Sequence, residues 1–202
     1  MRIFHLISAA LLLIPSLVLA ENYTITVNGK AYDFSLNENK LVKVGNQHIS
    51  VKLQQKDFIS FVSDSFSFMH SSKFTPSTND LGDGIYQTGM MTPIGTTVIV
   101  QEYKTLDPSL MIDIMVSEVT KEEVQYGYNV KSEPAHLTLS DGKVLKGKLV
   151  TSKYQDTDIK RYILTYGATD SGILIMTQID EAFATNEKEI IDRFFESLAI
   201  SM

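Results

Sequence analysis

No cysteine occurs in the 202 residues. That excludes a disulfide framework, and with no cysteine near the end of the first apolar run it also excludes a lipid-anchored bacterial lipoprotein. Sulfur is available only as thioether. An excess of positive charge is missing too: 18 basic residues stand against 24 acidic ones, a formal net charge of -6, and they are scattered along the chain. A nucleic-acid partner requires a basic face that releases counterions, so that class is set aside. After the first apolar run, no other is long enough to cross a bilayer, which takes roughly 20 residues. A glycine-rich phosphate loop, a G-x-S-x-G elbow and histidines paired at metal-binding spacing are likewise absent.

What is present begins at Met1. The run MRIFHLISAALLLIPSLVLA carries one basic residue, Arg2, then an apolar stretch interrupted by Ser8, Pro15 and Ser16, and closes Val18-Leu19-Ala20 ahead of polar Glu21-Asn22. This is the layout of a secretory signal peptide over residues 1–20. An uncleaved anchor is the alternative, and the stretch is short for it. The expectation is a periplasmic or secreted mature protein with no membrane span after cleavage. Losing Arg2 takes the formal charge from -6 to -7, with 17 basic against 24 acidic residues. Residues 21–202 have the length of a single domain able to bury a real core, with 21–54 as an N-terminal β-meander and 55–200 as the main body.

Period-two alternation runs through most of that length. Tyr23, Ile25 and Val27 alternate with Thr24 and Thr26, and Asn28-Gly29 is the dipeptide a type I′ hairpin turn favours. Ile49, Val51 and Leu53 alternate in the same way. FISFVSDSFSFMH (58–70) predicts two short strands broken at Ser63-Asp64, and TPSTNDLGDG (75–84) reads as the longest loop. Residues 85–91 and 96–103 predict a hairpin closed by Thr92-Pro93-Ile94-Gly95. The period then changes. Asp107 and Pro108 suit a helix start, and Leu110, Met111, Ile114, Met115 and Val119 recur at spacings of three and four, which predicts an amphipathic helix over about 107–119. Thr120 and Glu123 form a capping-box pattern, so a bend and a new helical turn are expected there. Strands are expected again at 135–139, 143–154, 159–167 and 172–179, the last nearly continuous in apolar residues as a doubly covered strand would be. A closing helix over about 186–198 is expected after Asn186, which pairs with Glu189 as a capping box. Its apolar stripe is Ile190, Ile191, Phe194, Phe195 and Leu198, with Glu187, Lys188, Asp192, Arg193 and Glu196 opposite. The fold class is α+β: a twisted antiparallel sheet covered by two main helices, with an N-terminal β-meander.

Few residues invite chemistry. Met90 and Met91 are neighbours in an expected strand and so point to opposite faces, which prevents both from holding one ion without a bulge. A site joining one of them to Met111 and Met115 is the remaining soft-metal arrangement. His48, His70 and His136 each stand alone. Asn79, Asp80 and Asp83 among Gly82 and Gly84 have the oxygen density calcium favours, although turns choose the same residues. No catalytic, cofactor-binding or metal residue set is assigned, and no cofactor is implied.

The order of elements suggests a family. FSFMHSSKF (66–74), a hairpin ending TTVIVQEY, a helix opening DPSLMIDIM, a run of antiparallel strands and a closing EIIDRFFESLAI together resemble the PsbP-like fold over about residues 55–200. That fold is shared by the extrinsic photosystem subunit of the name, a Ran-binding nucleotide-release factor and bacterial envelope proteins of the DcrB type. The N-terminal meander departs from the minimal pattern. The resemblance implies an accessory, chaperone or immunity-type module and no catalytic residues.

The function expected is therefore an exported, non-enzymatic protein-binding module of the bacterial envelope, docking a protein partner by its sheet face or by the segment 75–84. A periplasmic carrier of a small ligand or metal is the alternative, and an enzyme of unrecognised type is the third.

Overall fold

Extended backbone follows wherever the alternation has a period of two. A computed structural model describes residues 23–202, so the signal peptide expected over 1–20 lies outside the described residues. The chain divides into two compact units at Gln55 and Lys56.

The first unit consists of two hairpins. Strands β1 (Tyr23–Val27) and β2 (Lys30–Phe34) pair antiparallel, as do β3 (Asn39–Val44) and β4 (Gln47–Lys52). Asn28 and Gly29 turn the first of them at φ of 50° and 80°, the type I′ geometry their dipeptide predicts. A parallel bridge between Leu36 and Leu53 ties the hairpins together.

The second unit holds strands β5 (Phe58–Val62), β6 (Phe66–Ser71), β7 (Ser77–Gly82), β8 (Ile85–Met91) and β9 (Thr97–Tyr103). Helix α1 (Ile112–Tyr126) follows, entered through a 3-10 turn at Pro108–Met111. Then come β10 (Asn129–Thr138), β11 (Val144–Tyr154), β12 (Thr157–Ala168) and β13 (Ser171–Asp180). Helix α2 (Ala184–Ser197) and the two-residue strand β14 (Ala199–Ile200) end the chain. The main sheet is antiparallel throughout, in the order β10-β11-β12-β13-β9-β8-β7, and a small sheet has the order β14-β6-β5.

On one face of the main sheet, Leu145, Leu164, Ile173, Ile175, Val98, Val100 and Met90 form a core with Phe66 and Phe68 of the small sheet and Ile191, Phe194 and Leu198 of α2. On the other face α1 packs against β10, β11 and β12, and the 3-10 turn before it packs against β12 and β13; Val150, Ile163 and Leu174 are fully buried there. Strand β13 is thus covered on both sides, as its unbroken apolar run predicts, with Ile173, Leu174 and Ile175 all at 0% exposure.

Several boundaries differ from the sequence reading. Segment 75–84 is not a loop: residues 77–82 form β7 and only Asp83 and Gly84, at φ of 53° and 78°, make the turn to β8. Helix α1 does not bend at Thr120, whose hydroxyl donates to the Val116 carbonyl 2.7 Å away inside the same helix; the helix runs to Gly127, where φ of 94° closes it. Asp107 does cap the preceding 3-10 turn, its Oδ1 accepting from the Ser109 amide at 2.9 Å. Of the expected α1 stripe, Leu110 and Ile114 face solvent at 86% and 59% exposure. Asn186 lies within α2 and caps nothing; Asp180 caps the short 3-10 turn Glu181–Phe183 that leads into the helix. Glu187, expected on the wet side, is buried. β14 was not foreseen, being two residues that pair with β6 alone among the described residues.

Candidate docking surface

Several polar groups buried in this unit are tied to one another. Arg161 on β12 sits under α1, its Nη1 3.0 Å from Glu123 Oε2 and its Nε donating to Gln178 at 2.8 Å, with Ser152 Oγ 3.3 Å away. That arrangement fastens the last turns of α1 to the sheet. Glu187 accepts from Thr92 Oγ1 at 2.8 Å, joining the start of α2 to the turn between β8 and β9. His70 on β6 is buried with Nδ1 2.9 Å from the Ser71 carbonyl and 3.0 Å from that of Phe74, so it holds a turn. His136 is exposed on β10, and His48 belongs to β4 in the first unit. Met90 and Met91 point to opposite faces, at 7% and 66% exposure. Among the described residues no group of three His, Asp or Glu side chains is placed to hold a metal ion. The oxygen-rich segment 75–84, expected as a loop, is instead paired with β8 over residues 77–82.

The ends of the main sheet are unlike. β10 carries Lys131, Glu133 and Pro134 along its length, the charge and proline by which edge strands resist pairing. β7, sequence STNDLG, has every residue exposed and pairs only with β8 among the described residues. Its register slips between Asp80 and Gly82, where Asp80 Oδ1 accepts the Gly82 amide at 2.8 Å. Residues 77–80 before that bulge are a regular edge with a row of backbone donors and acceptors on its outer side.

Beside this edge, on the face that carries α1 farther along the sheet, Ser77 and Asn79 of β7 lie opposite Gly89 and Gln87 of β8, which pair in turn with Ile99 and Gln101 of β9. A depression of about 280 Å³ opens there, lined by Thr75, Ser77, Asn79, Gln87, Met91 and Ile99 around Gly89. None of these side chains ionises. Three of the polar groups nearby form a directed chain: the Tyr103 hydroxyl donates to Gln101 Oε1 at 2.7 Å, and Gln101 Nε2 donates to Gln87 Oε1 at 2.8 Å. Burial raises the Tyr103 pKa above its ordinary value, which keeps the proton on the head of the chain. The Gln87 amide nitrogen ends it and has no acceptor among the described residues.

The sequence reading placed interest on 75–84 but missed its form. Thr, Asn, Asp and Gly are turn-prone, and that composition outweighed a usable signal: Asp83-Gly84 is a type I′ dipeptide like Asn28-Gly29, followed by a clear strand.

No known protein family and no curated protein matches the chain. Among solved structures it is similar to a crystal structure of a protein from Bacteroides thetaiotaomicron VPI-5482, at 11% identity and a TM-score of 0.36, over 73% of this chain and 50% of the other. The chain therefore spans about half the length of that protein.

Proposed function

We propose that this chain is an exported, non-enzymatic protein-binding module of the bacterial envelope, of the accessory, chaperone or immunity type, and that it docks its partner along β7. The observation that carries the reading is the edge itself: residues 77–80 offer an extended, uncovered row of backbone amides and carbonyls, and the ligand that satisfies such a row is another extended peptide. The signal-peptide pattern of residues 1–20 supports export, and the resemblance of 55–200 to a fold of accessory subunits supports a partner-binding role.

The test uses the tagged full-length chain expressed in a bacterial host and recovered from its envelope fraction. The expected result is one co-purifying protein that slows amide exchange at residues 77–82 and is lost in Asn79→Lys, a variant whose melting temperature stays near that of the parent because Asn79 is exposed. No partner above background, or protection that leaves β7 unchanged, would refute the proposal.

A further inference from the structure

The glycines of this chain divide by what a side chain at each would meet. Gly29, Gly45, Gly82, Gly84, Gly95, Gly127 and Gly142 have positive φ, which few other residues adopt without strain. Gly147, Gly167 and Gly172 are required by close packing: a Cβ would lie 2.0 Å from the Ile163 carbonyl, 2.8 Å from Asp107 Oδ1 and 2.5 Å from Pro108 Cδ respectively. Gly89 belongs to neither group. It sits within β8 without positive φ, and a Cβ there would make only ordinary contacts, 3.6 Å from Ile99 and 3.7 Å from the Val98 carbonyl. The fold does not need glycine at this position, and glycine weakens a strand. What Gly89 provides is the floor of the depression.

Resting on the reading of β7 as a docking edge, we infer that this depression is the side-chain pocket that selects the partner strand, and that it takes one long uncharged side chain: glutamine, methionine or leucine. Side chains of a strand added to β7 project alternately to the two faces, so one of them meets the open face beside Ser77 and Asn79. Ser77 is small and Gly89 has no side chain, which clears a path over β7 to β8. Ile99 and exposed Met91 form apolar walls for the stem. At its end the Gln87 amide offers N–H donors that the chain from Tyr103 through Gln101 orients. A charged side chain would lose hydration among neutral walls with no counter-ion to replace it. Glutamine, with an apolar stem and a carbonyl acceptor, satisfies every wall.

The test selects peptides from a displayed library of random decapeptides on the full-length chain, then measures each selected peptide by fluorescence anisotropy against the parent and three variants. Gly89→Leu fills the depression and leaves the β7 backbone alone; Gln87→Glu keeps the oxygen that Gln101 binds and replaces the free N–H groups with charge; Asn79→Lys obstructs the edge. The expected result is enrichment of glutamine, methionine or leucine at one position with depletion of Asp, Glu, Lys and Arg there. Gly89→Leu should weaken those peptides about tenfold or more, and Gln87→Glu should shift selection toward lysine or arginine. If binding falls with Asn79→Lys but is indifferent to Gly89→Leu and Gln87→Glu, the pocket is refuted and the edge stands. Gly89→Leu failing to fold leaves Gln87→Glu to decide. Peptides indifferent to all three variants, no selected peptide, or pairing of β7 with a second copy of the chain in light scattering would overturn pocket and edge together.

Discussion

Arg161 and Glu123 form an ion pair beneath α1, with the two side chains at 5% and 15% exposure. Removing one member leaves the other charge buried and unpaired. Glu123→Ala or Arg161→Met should each cost about 3–5 kcal/mol in urea unfolding, while the double variant Glu123→Leu with Arg161→Met should recover most of that loss. Equal losses in the single and double variants would show that the pair acts through packing alone.

The glycine comparison makes a second prediction about stability. Gly147→Ala forces a Cβ to within 2.0 Å of the Ile163 carbonyl, which is backbone and cannot step aside. It should cost about 3 kcal/mol or more. Gly89→Ala should instead stabilise by about 0.5–1 kcal/mol, because its Cβ has room and the strand loses less entropy on folding. Urea midpoints of the two variants moving in the same direction would contradict the packing described for β8 and β11.

Thr92 supplies the hydroxyl that Glu187 accepts in a buried contact. Thr92→Val keeps the shape and removes the donor, so it should cost about 1.5–3 kcal/mol, and Glu187→Gln, whose amide oxygen still accepts, should cost less. Thermal unfolding of both variants ranks them.

Tyr103 makes stability fall in alkali. Burial raises its folded pKa above the ordinary 10.0. Between the ordinary value and the higher folded one, the unfolded chain releases the proton and the folded chain keeps it. The unfolded state then binds fewer protons, so the stability is whole below about pH 10 and is lost as pH rises through the folded value. Ultraviolet difference titration of the parent against Tyr103→Phe should show one tyrosine ionising late, and the alkaline slope of stability should be shallower in the variant.

Much of the architecture was legible in residues 23–202 because it rests on local chemistry. The alternation at 85–91 and 97–103, the Thr92-Pro93-Ile94-Gly95 turn, the capping Asp107 and the α2 stripe of Ile191, Phe194 and Leu198 each declare themselves within a few positions. Periodicity could not show which side of a helix would be used. Leu110 and Ile114 look like core residues by spacing and are exposed, whereas Met111, Met115 and Val119 of the same stripe are half-buried and Thr120 beside them is buried.

By itself the sequence determined the fold class, most turns and most strands, since side-chain alternation and turn chemistry act between near neighbours. The order of strands in the sheet was decided by tertiary structure alone. That order leaves β7 at an edge, β10 at the other, and half of one face uncovered by α1. Pairing brings Ser77 opposite Gly89 and Gln87 beside Gln101, and contacts between segments distant in sequence follow from how whole faces bury together, which no local pattern encodes.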